Sequence, residues 1–275
     1  MSLVNTAQPV DGVGVIELHD PPRNFGSYAL LADLAEALST LRSAGCRAVV
    51  LTSDVPGYFM AHAYLPDVLD AYERPKDLVH DPLLWRRVTH ELERGPMVSI
   101  AVNHGQAWGG GAEISWACNM RVATADSTYA QIEVALGVIP GGGGTVRLAR
   151  LAGQSTAMRM LLSGEPLTGQ ELHRLGVVQW LSDTPEQAVA QALRIAGRIA
   201  KMPPRAVAAC KRGILQTWDL GAEDALRLEG YIFNSTMRPD TLARIRRVQD
   251  RYDEGEDSWA AFEIPLPGAA DPVIQ

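Results

Sequence analysis

Residues 100–120 read IAVNHGQAWGGGAEISWACNM. A continuously apolar run, as expected of a buried strand, enters three consecutive glycines, and a helical pattern begins at once behind them. Residues without Cβ let backbone N–H groups approach a ligand closely, and a helix start adds the positive end of its dipole. Such a loop suits an anion or a developing oxyanion. It is not a phosphate-binding P-loop, because GxxxxGK[ST] occurs nowhere in the chain. Nor is it a dinucleotide fingerprint. Gly109, Gly110 and Gly111 are consecutive, while Gly12 and Gly14 precede a strand rather than a helix.

Working outward, residues 129–147 read YAQIEVALGVIPGGGGTVR. Here a carboxylate, Glu133, stands among Ile132, Val134, Ala135 and Leu136. Charged residues in such company usually lie on a solvated edge, but burial raises a carboxyl's pKa and makes it a proton donor near neutrality. Glu113 directly follows the first glycine loop, so two carboxylates flank two clusters of N–H groups. Spacing alone does not show that they meet.

The rest of the chain supplies the frame. Strands are expected at 13–18, 48–52, 97–102 and 121–125, and helices at 28–42, 79–94 and 112–118. Ser27 is the expected N-cap of the 28–42 helix, and Gly45 closes it. Past about residue 180 the pattern is helical only, at 185–201, 204–218 and 223–250, with breaks at Pro203-Pro204 and Pro239. An α/β body with a helical appendage follows: 1–195 as the core with the active site, 196–260 as a helical C-terminal region, and 261–275 as a loosely held tail.

The chain has 275 residues, 47% hydrophobic and 21% charged, which is enough to bury a core without disulfide or metal staples. A net charge of −7 and a pI near 5.4 argue against nucleic acid as a partner. Arg244, Arg246, Arg247 and Arg251 form a local basic run, more simply read as a solvated helix face. Cys46, Cys118 and Cys210 lie far apart in apolar surroundings and read as buried free thiols in a reducing compartment. No His/Cys cluster has metal-ligand spacing, so no metal is expected. The N-terminal residues have acidic groups before the first basic one, Arg23, unlike a transit peptide, and no apolar run approaches a membrane span. A cytoplasmic protein with no membrane partner is the expectation.

These motifs together resemble the enoyl-CoA hydratase/isomerase (crotonase) superfamily over most of the chain. Residues 20–24, DPPRN, resemble its P-P-x-N turn, and residues 59–65, FMAHAYL, its F-x-A-G-A-D-L loop. Asn103 through Glu113 approximate N-x-G-x-A-x-G-G-G-x-E, and Glu133 with residues 137–141 resembles P-E-x-x-x-G-x-x-P-G-x-G-G-T. Residues 164–168 and 175–178 resemble later segments of the family. The resemblance implies a crotonase-like α/β spiral of ββα units with a C-terminal helical trimerisation region, assembled as a homotrimer or a dimer of trimers. It implies an oxyanion hole from the N–H groups of Ala63 and Gly110, and catalytic roles for Glu113 as water-activating base and Glu133 as principal acid. Substrate-binding positions carried over are Arg23, Ala61, His62, Tyr64, Leu65, Trp108, Gly109, Pro140 and Gly141. The implied substrate is an acyl-CoA thioester, with coenzyme A entering as part of the substrate and no separate cofactor. The implied reaction is hydration of a trans-2-enoyl-CoA. A Δ3,Δ2-enoyl-CoA isomerase and a crotonase-fold hydrolase on a non-CoA or unusual acyl substrate are the alternatives.

The chain also departs from the family pattern. His62 replaces a glycine, Tyr64 an aspartate, and Asn119 the aspartate of a Cys-Asp pair. Trp108, Trp116 and the segment 66–91, with Leu69, Tyr72, Leu84 and Trp85, are candidate walls of the acyl pocket, the tryptophans otherwise reading as core. Arg23, Lys211 and the 244–251 arginines are candidates for the CoA phosphates, since the family's C-terminal F-x-x-K-R ending is not recognisable.

Overall fold

The computed structural model describes residues 2–74, 81 and 83–263. Its core strands are those with the least polar sequences. β1 (Val4–Val10) and β2 (Val13–Leu18) form an antiparallel ribbon, and β3 (Ala48–Ser53), β4 (Tyr58–Met60), β5 (Val98–Asn103) and β6 (Gln106–Trp108) follow. β7 (Met120–Thr124), β8 (Thr128–Ala130), β9 (Leu167–Thr168) and β10 (Trp180–Ser182) complete two sheets. The larger runs β1-β2-β3-β5-β7-β10, parallel from β2 onward, and the smaller runs β4-β6-β8-β9. Every residue of β3 and β5 is buried, which is why both read as unbroken apolar runs rather than alternating ones.

The connections repeat. Each of β3, β5 and β7 crosses the large sheet, is followed by a short strand of the small sheet (β4, β6 or β8), and then by helix. The helices are α1 (Tyr28–Ser43), α2 (Leu65–Glu73), α3 (Leu84–Arg94), α4 (Gly110–Ala117), α5 (Gly144–Ser163), α6 (Gly169–Arg174) and α7 (Pro185–Lys201). This is the ββα spiral expected from the sequence. α1 starts where Ser27 accepts the N–H of Leu30 at 3.1 Å, and it buries Leu30, Leu31, Leu34, Leu38 and Leu41. α7 presents Ala188, Ala192, Ala196 and Ala200 to Val13, Val50, Ile100, Val102 and Val122, small side chains that let the helix lie close on the sheet.

Several expected bounds move. The 112–118 helix starts two residues earlier, at Gly110, so its first turn is built from the glycines themselves. The helix expected over 79–94 runs from Leu84, and its expected start lies outside the described residues. The boundary expected after residue 195 falls inside α7, and the chain divides instead into compact units Met1–Lys201 and Met202–Gln275. The second unit holds α8 (Pro204–Thr217), α9 (Ala222–Thr236), α10 (Pro239–Asp253) and α11 (Ser258–Ala261). α9 and α10 together cover the run expected at 223–250, divided at the Pro239 break. From residue 264 the expected tail lies outside the described residues. Cys46 and Cys118 are buried free thiols, but Cys210 is exposed, because α8 buries none of its residues.

Candidate active site

The site forms where the small sheet hands the chain to α2 and α4. β4 ends at Met60, and the next residues are tied on both sides: Ala61 N–H donates to the Arg23 carbonyl at 3.1 Å, and Trp108 N–H donates to the Ala61 carbonyl at 3.1 Å. Gly26 N–H then donates to His62 O at 2.7 Å, and Tyr64 N–H donates to Gly26 O at 3.0 Å. Alternation along this parallel bridge, Gly26 with Ala63, turns the N–H of Ala63 itself the other way. There it meets the glycine loop: a Cβ built on Gly110 would lie 3.1 Å from Ala63 N. Gly110 opens α4, so its own N–H belongs to the first helical turn, which has no intrahelical acceptor. Two N–H groups from different elements thus stand side by side at the positive end of a helix.

The glycines are required by this approach. Gly109 has φ +49 and ψ −123, a conformation that side chains avoid, and its N–H donates to Ala130 O at 2.8 Å. The buried Gln131 holds the same residue from the other side, its Nε2 donating to Gly109 O at 3.1 Å. Trp85 of α3 closes the wall, its ring 2.6 Å from where a Gly110 Cβ would be and 2.9 Å from where a Gly26 Cβ would be. Of the wall candidates Leu69, Tyr72, Leu84 and Trp85, Trp85 lies against Gly110 and Gly26.

Glu113 lies one turn into α4 and is 4% exposed. Its Oε1 accepts the N–H of Gly144 at 2.7 Å. Burial pushes its pKa up to about 7, against the N–H groups of Gly144 and Gly142 and the charge of Arg147, while the nearby Glu133 charge adds to the rise. Glu133 opens a single 3-10 turn, Glu133–Leu136, and burial raises its pKa too, opposed by the N–H groups of Glu133 and Ile132 and the charge of His62. Its Oε1 lies 3.2 Å from where a Gly109 Cβ would be, so the carboxyl reaches the glycine loop. The two glutamates, separate in sequence, therefore share one site with the Ala63 and Gly110 N–H groups.

The chain matches the model of the Enoyl-CoA hydratase/isomerase family over residues 9–259. It belongs to that family. The mouse mitochondrial methylglutaconyl-CoA hydratase is 31% identical over 225 residues, 78% of this chain and 69% of that one. The 2,3-dehydroadipyl-CoA hydratase of Escherichia coli (strain K12) is 31% identical over 216 residues, 77% of this chain and 81% of that one. Among solved structures, an enoyl-CoA hydratase from Bacillus anthracis superposes with a TM-score of 0.81 at 28% identity, covering 90% of this chain and 96% of that one. The crotonase-like fold expected from the sequence is the fold this family member has.

The remaining expected positions sort by geometry. His62 borders the loop, its Cβ 3.4 Å from where a Gly109 Cβ would be and its Nδ1 2.7 Å from Ala63 O. Tyr64 and Leu65, each 40% exposed, start α2 beside Phe25, whose ring is 6.1 Å from that of Tyr64. The side chain of Ala61 is buried, and its backbone is what the site uses. Trp108 donates its indole N–H to Thr128 Oγ1 at 3.1 Å, holding β6 to β8, and Trp116 stacks on Tyr129 in the core. Pro140 is buried against Gly144, whereas Gly141 is exposed with open space around its Cα. Arg23 is exposed, its guanidinium 5.8 Å from the centre of the Tyr58 ring. Lys211 and the 244–251 arginines belong to the second unit, where Arg244 pairs with Asp240 and Arg251 with Glu256 and Glu263.

Three polar residues hold the site: Asn24, which the P-P-x-N turn of the sequence marks, and Arg147 and Arg121, which no motif signals. Asn24, at φ +50, takes the Asp20 N–H on its Oδ1 at 2.6 Å and donates Nδ2 to Ser53 Oγ at 2.7 Å and Phe59 O at 3.1 Å, fixing the turn that receives Ala61. Arg147 grips both Glu93 oxygens at 3.1 and 3.3 Å and donates to Gly142 O at 2.7 Å, steadying the loop whose N–H groups bind Glu113. Arg121, fully buried, donates to the Ser115 and Cys118 carbonyls at 3.0 and 2.8 Å and to Val177 O at 2.7 Å, satisfying the end of α4. At Asn119 the departure from aspartate has a use. Its Oδ1 accepts Ser99 N–H at 3.0 Å while its Nδ2 donates to Glu93 O at 2.9 Å, a bond a carboxylate cannot make.

Proposed function

We propose that the protein is an enoyl-CoA hydratase, adding water across the 2,3 double bond of a trans-2-enoyl-CoA. The observation that carries this reading is a pair of carboxyls, both raised in pKa by burial, flanking two adjacent N–H donors. As water adds to C3, the C2–C3 π electrons move toward the thioester oxygen. The Ala63 and Gly110 N–H groups stabilise this enolate charge, a contribution of several kcal/mol for such preorganised donors. Glu113 takes the proton of the attacking water, which its value near 7 suits. Glu133, entering the cycle protonated, gives its proton to C2. Two carboxyls in reach favour hydration over the isomerase alternative, which needs one proton shuttle.

Coenzyme A enters as part of the substrate in this reading, and no separate cofactor is involved. The substrate-binding positions are His62, Tyr64, Leu65 and Trp85 around the acyl group. The protein works as a homotrimer or a dimer of trimers, joined through the helices of the second unit. Free thiols at Cys46, Cys118 and Cys210 suit the reducing cytoplasm, although the mouse relative is named mitochondrial.

The test follows loss of enoyl-thioester absorbance across trans-2-enoyl-CoA chain lengths, with methylglutaconyl-CoA and 2,3-dehydroadipyl-CoA in the panel. Glu113→Gln and Glu133→Gln are each expected to lower kcat by roughly 10²- to 10⁴-fold, the usual contribution of a general acid or base. A wild type that hydrates none of the panel, or a Gln variant with undiminished kcat, overturns the proposal.

A further inference from the structure

His62 stands where the family pattern has no side chain, and its geometry gives it one exchangeable nitrogen. Nδ1 lies 2.7 Å from the Ala63 carbonyl oxygen, which only accepts, so Nδ1 carries a hydrogen in the neutral and the charged ring alike. Proton exchange is left to Nε2. The Phe25 ring, 5.0 Å away and tilted by 57°, backs the imidazole.

Glu133 borders the same glycine loop. His62 Cβ and Glu133 Oε1 lie 3.4 and 3.2 Å from the same point, where a Gly109 Cβ would be. Glu133 Oε2 is shielded from solvent and has no hydrogen-bond partner. His62 itself is half-buried. The ionisable group on which the His62 charge acts is Glu133 of the 3-10 turn.

The proposed hydration leaves a proton on Glu113 and none on Glu133, so each turnover requires a proton to return to Glu133. We infer that His62 is a proton relay between solvent and Glu133. Imidazolium Nε2–H protonates the Glu133 carboxylate, Nδ1–H stays on Ala63 O, and the neutral ring takes a proton from solvent. Glu113 releases the proton taken from water to solvent, which balances the cycle. A positive His62 also favours the ionised Glu133 that has just delivered its proton. The inference rests on the hydratase reading.

Its test compares wild type, His62→Gln and His62→Gly on one trans-2-enoyl-CoA that the wild type hydrates. With His62→Gln, kcat is expected to fall roughly tenfold or more, at the low end of a general acid–base contribution, while KM stays within about twofold. In His62→Gly, added imidazole restores kcat in proportion to its protonated form. Equal thermal melts for the three proteins separate the effect from misfolding. Unchanged kcat in His62→Gln, or no imidazole rescue of His62→Gly, overturns the relay while leaving the hydratase reading intact. A wild type that hydrates no enoyl-CoA overturns both.

Discussion

Glu113 keeps its proton up to about pH 7 because α4 and the Gly142–Gly144 backbone exclude the water that would solvate its charge. In the unfolded chain the same carboxyl titrates near its ordinary value of 4.5. Below pH 4.5 both states are protonated and Glu113 adds no pH dependence. Between 4.5 and 7 the unfolded state releases the proton while the folded state retains it, so stability falls as pH rises. At about 1.4 kcal/mol per pH unit, roughly 3 kcal/mol is lost across that window. Glu113→Gln, which still offers an oxygen to Gly144 N–H, removes this slope. Urea titrations from pH 4 to 8 are expected to show the variant gaining up to about 3 kcal/mol on the wild type as pH rises. Parallel stability curves would contradict this. Activity has the opposite sign: the base works ionised, so kcat/KM climbs with pH through about 7. At this scale the sequence is informative where chemistry forbids substitutes. Gly109 needs φ +49, and Glu113 and Glu133 stand out as acids in apolar company. Gln131 and Arg121 leave no such mark, because their partners are backbone carbonyls brought near only by the tertiary fold.

Among the elements, α5 is tied to the site through one side chain. Arg147, 15% exposed, bonds Glu93 of α3, 20% exposed, and the Gly142 carbonyl together, so α3, α5 and the loop over Glu113 are held by one guanidinium. Arg147→Met leaves Glu93 short of one cation, although Arg94 stays 3.4 Å from it, and frees the loop. A loss of about 2 kcal/mol is expected, below the 3–5 kcal/mol of a fully buried pair. Because the Arg147 charge lowers the Glu113 pKa, its removal moves the acid limb of kcat/KM to higher pH. Arg147→Lys keeps the charge without the planar fork, so it holds the limb in place while losing stability. A limb that stays put in Arg147→Met would show that the arginine acts on structure alone. The elements also differ in how plainly the sequence announces them. β3, β5 and α1 have the apolar patterns of their burial, whereas β1 is a largely exposed edge strand with Asn5, Thr6 and Gln8 in it. α5 opens on glycines and is interrupted at Gly153, φ +78, which hides its helical period. β4, β6, β8 and β9 are two or three residues long, too short for any periodicity to register.

At the scale of the whole molecule, the two units treat their apolar side chains differently. The first buries leucines, valines and alanines on both faces of its large sheet. The second buries only Ile232 and Ala261 among its described residues. Along α9, Leu226, Gly230 and Phe233 recur at helical spacing on one face, with Leu226 and Phe233 67% and 59% exposed, and Met237, its C-cap, is 37% exposed. Ile214, Trp218 and Tyr231 are exposed as well. A folded chain seldom leaves such a stripe to water, and covering it with further copies of the chain is the arrangement proposed here. The stripe is legible in the sequence as an amphipathic period, but a period does not say whether the chain's own core or a neighbour covers it. Phe233→Asp puts a charge at the middle of the stripe without disturbing Ile232, the residue the second unit buries on that helix. Sedimentation of the wild type is expected to give a trimer or hexamer of the 29.8 kDa chain, and Phe233→Asp a monomer with the far-UV helical signal retained. Burying an unpaired carboxylate in an apolar interface costs several kcal/mol at each copy, enough to shift assembly by orders of magnitude at micromolar concentration. A wild type that sediments as a monomer would mean that the stripe faces water, and the assembly through α9 would fall.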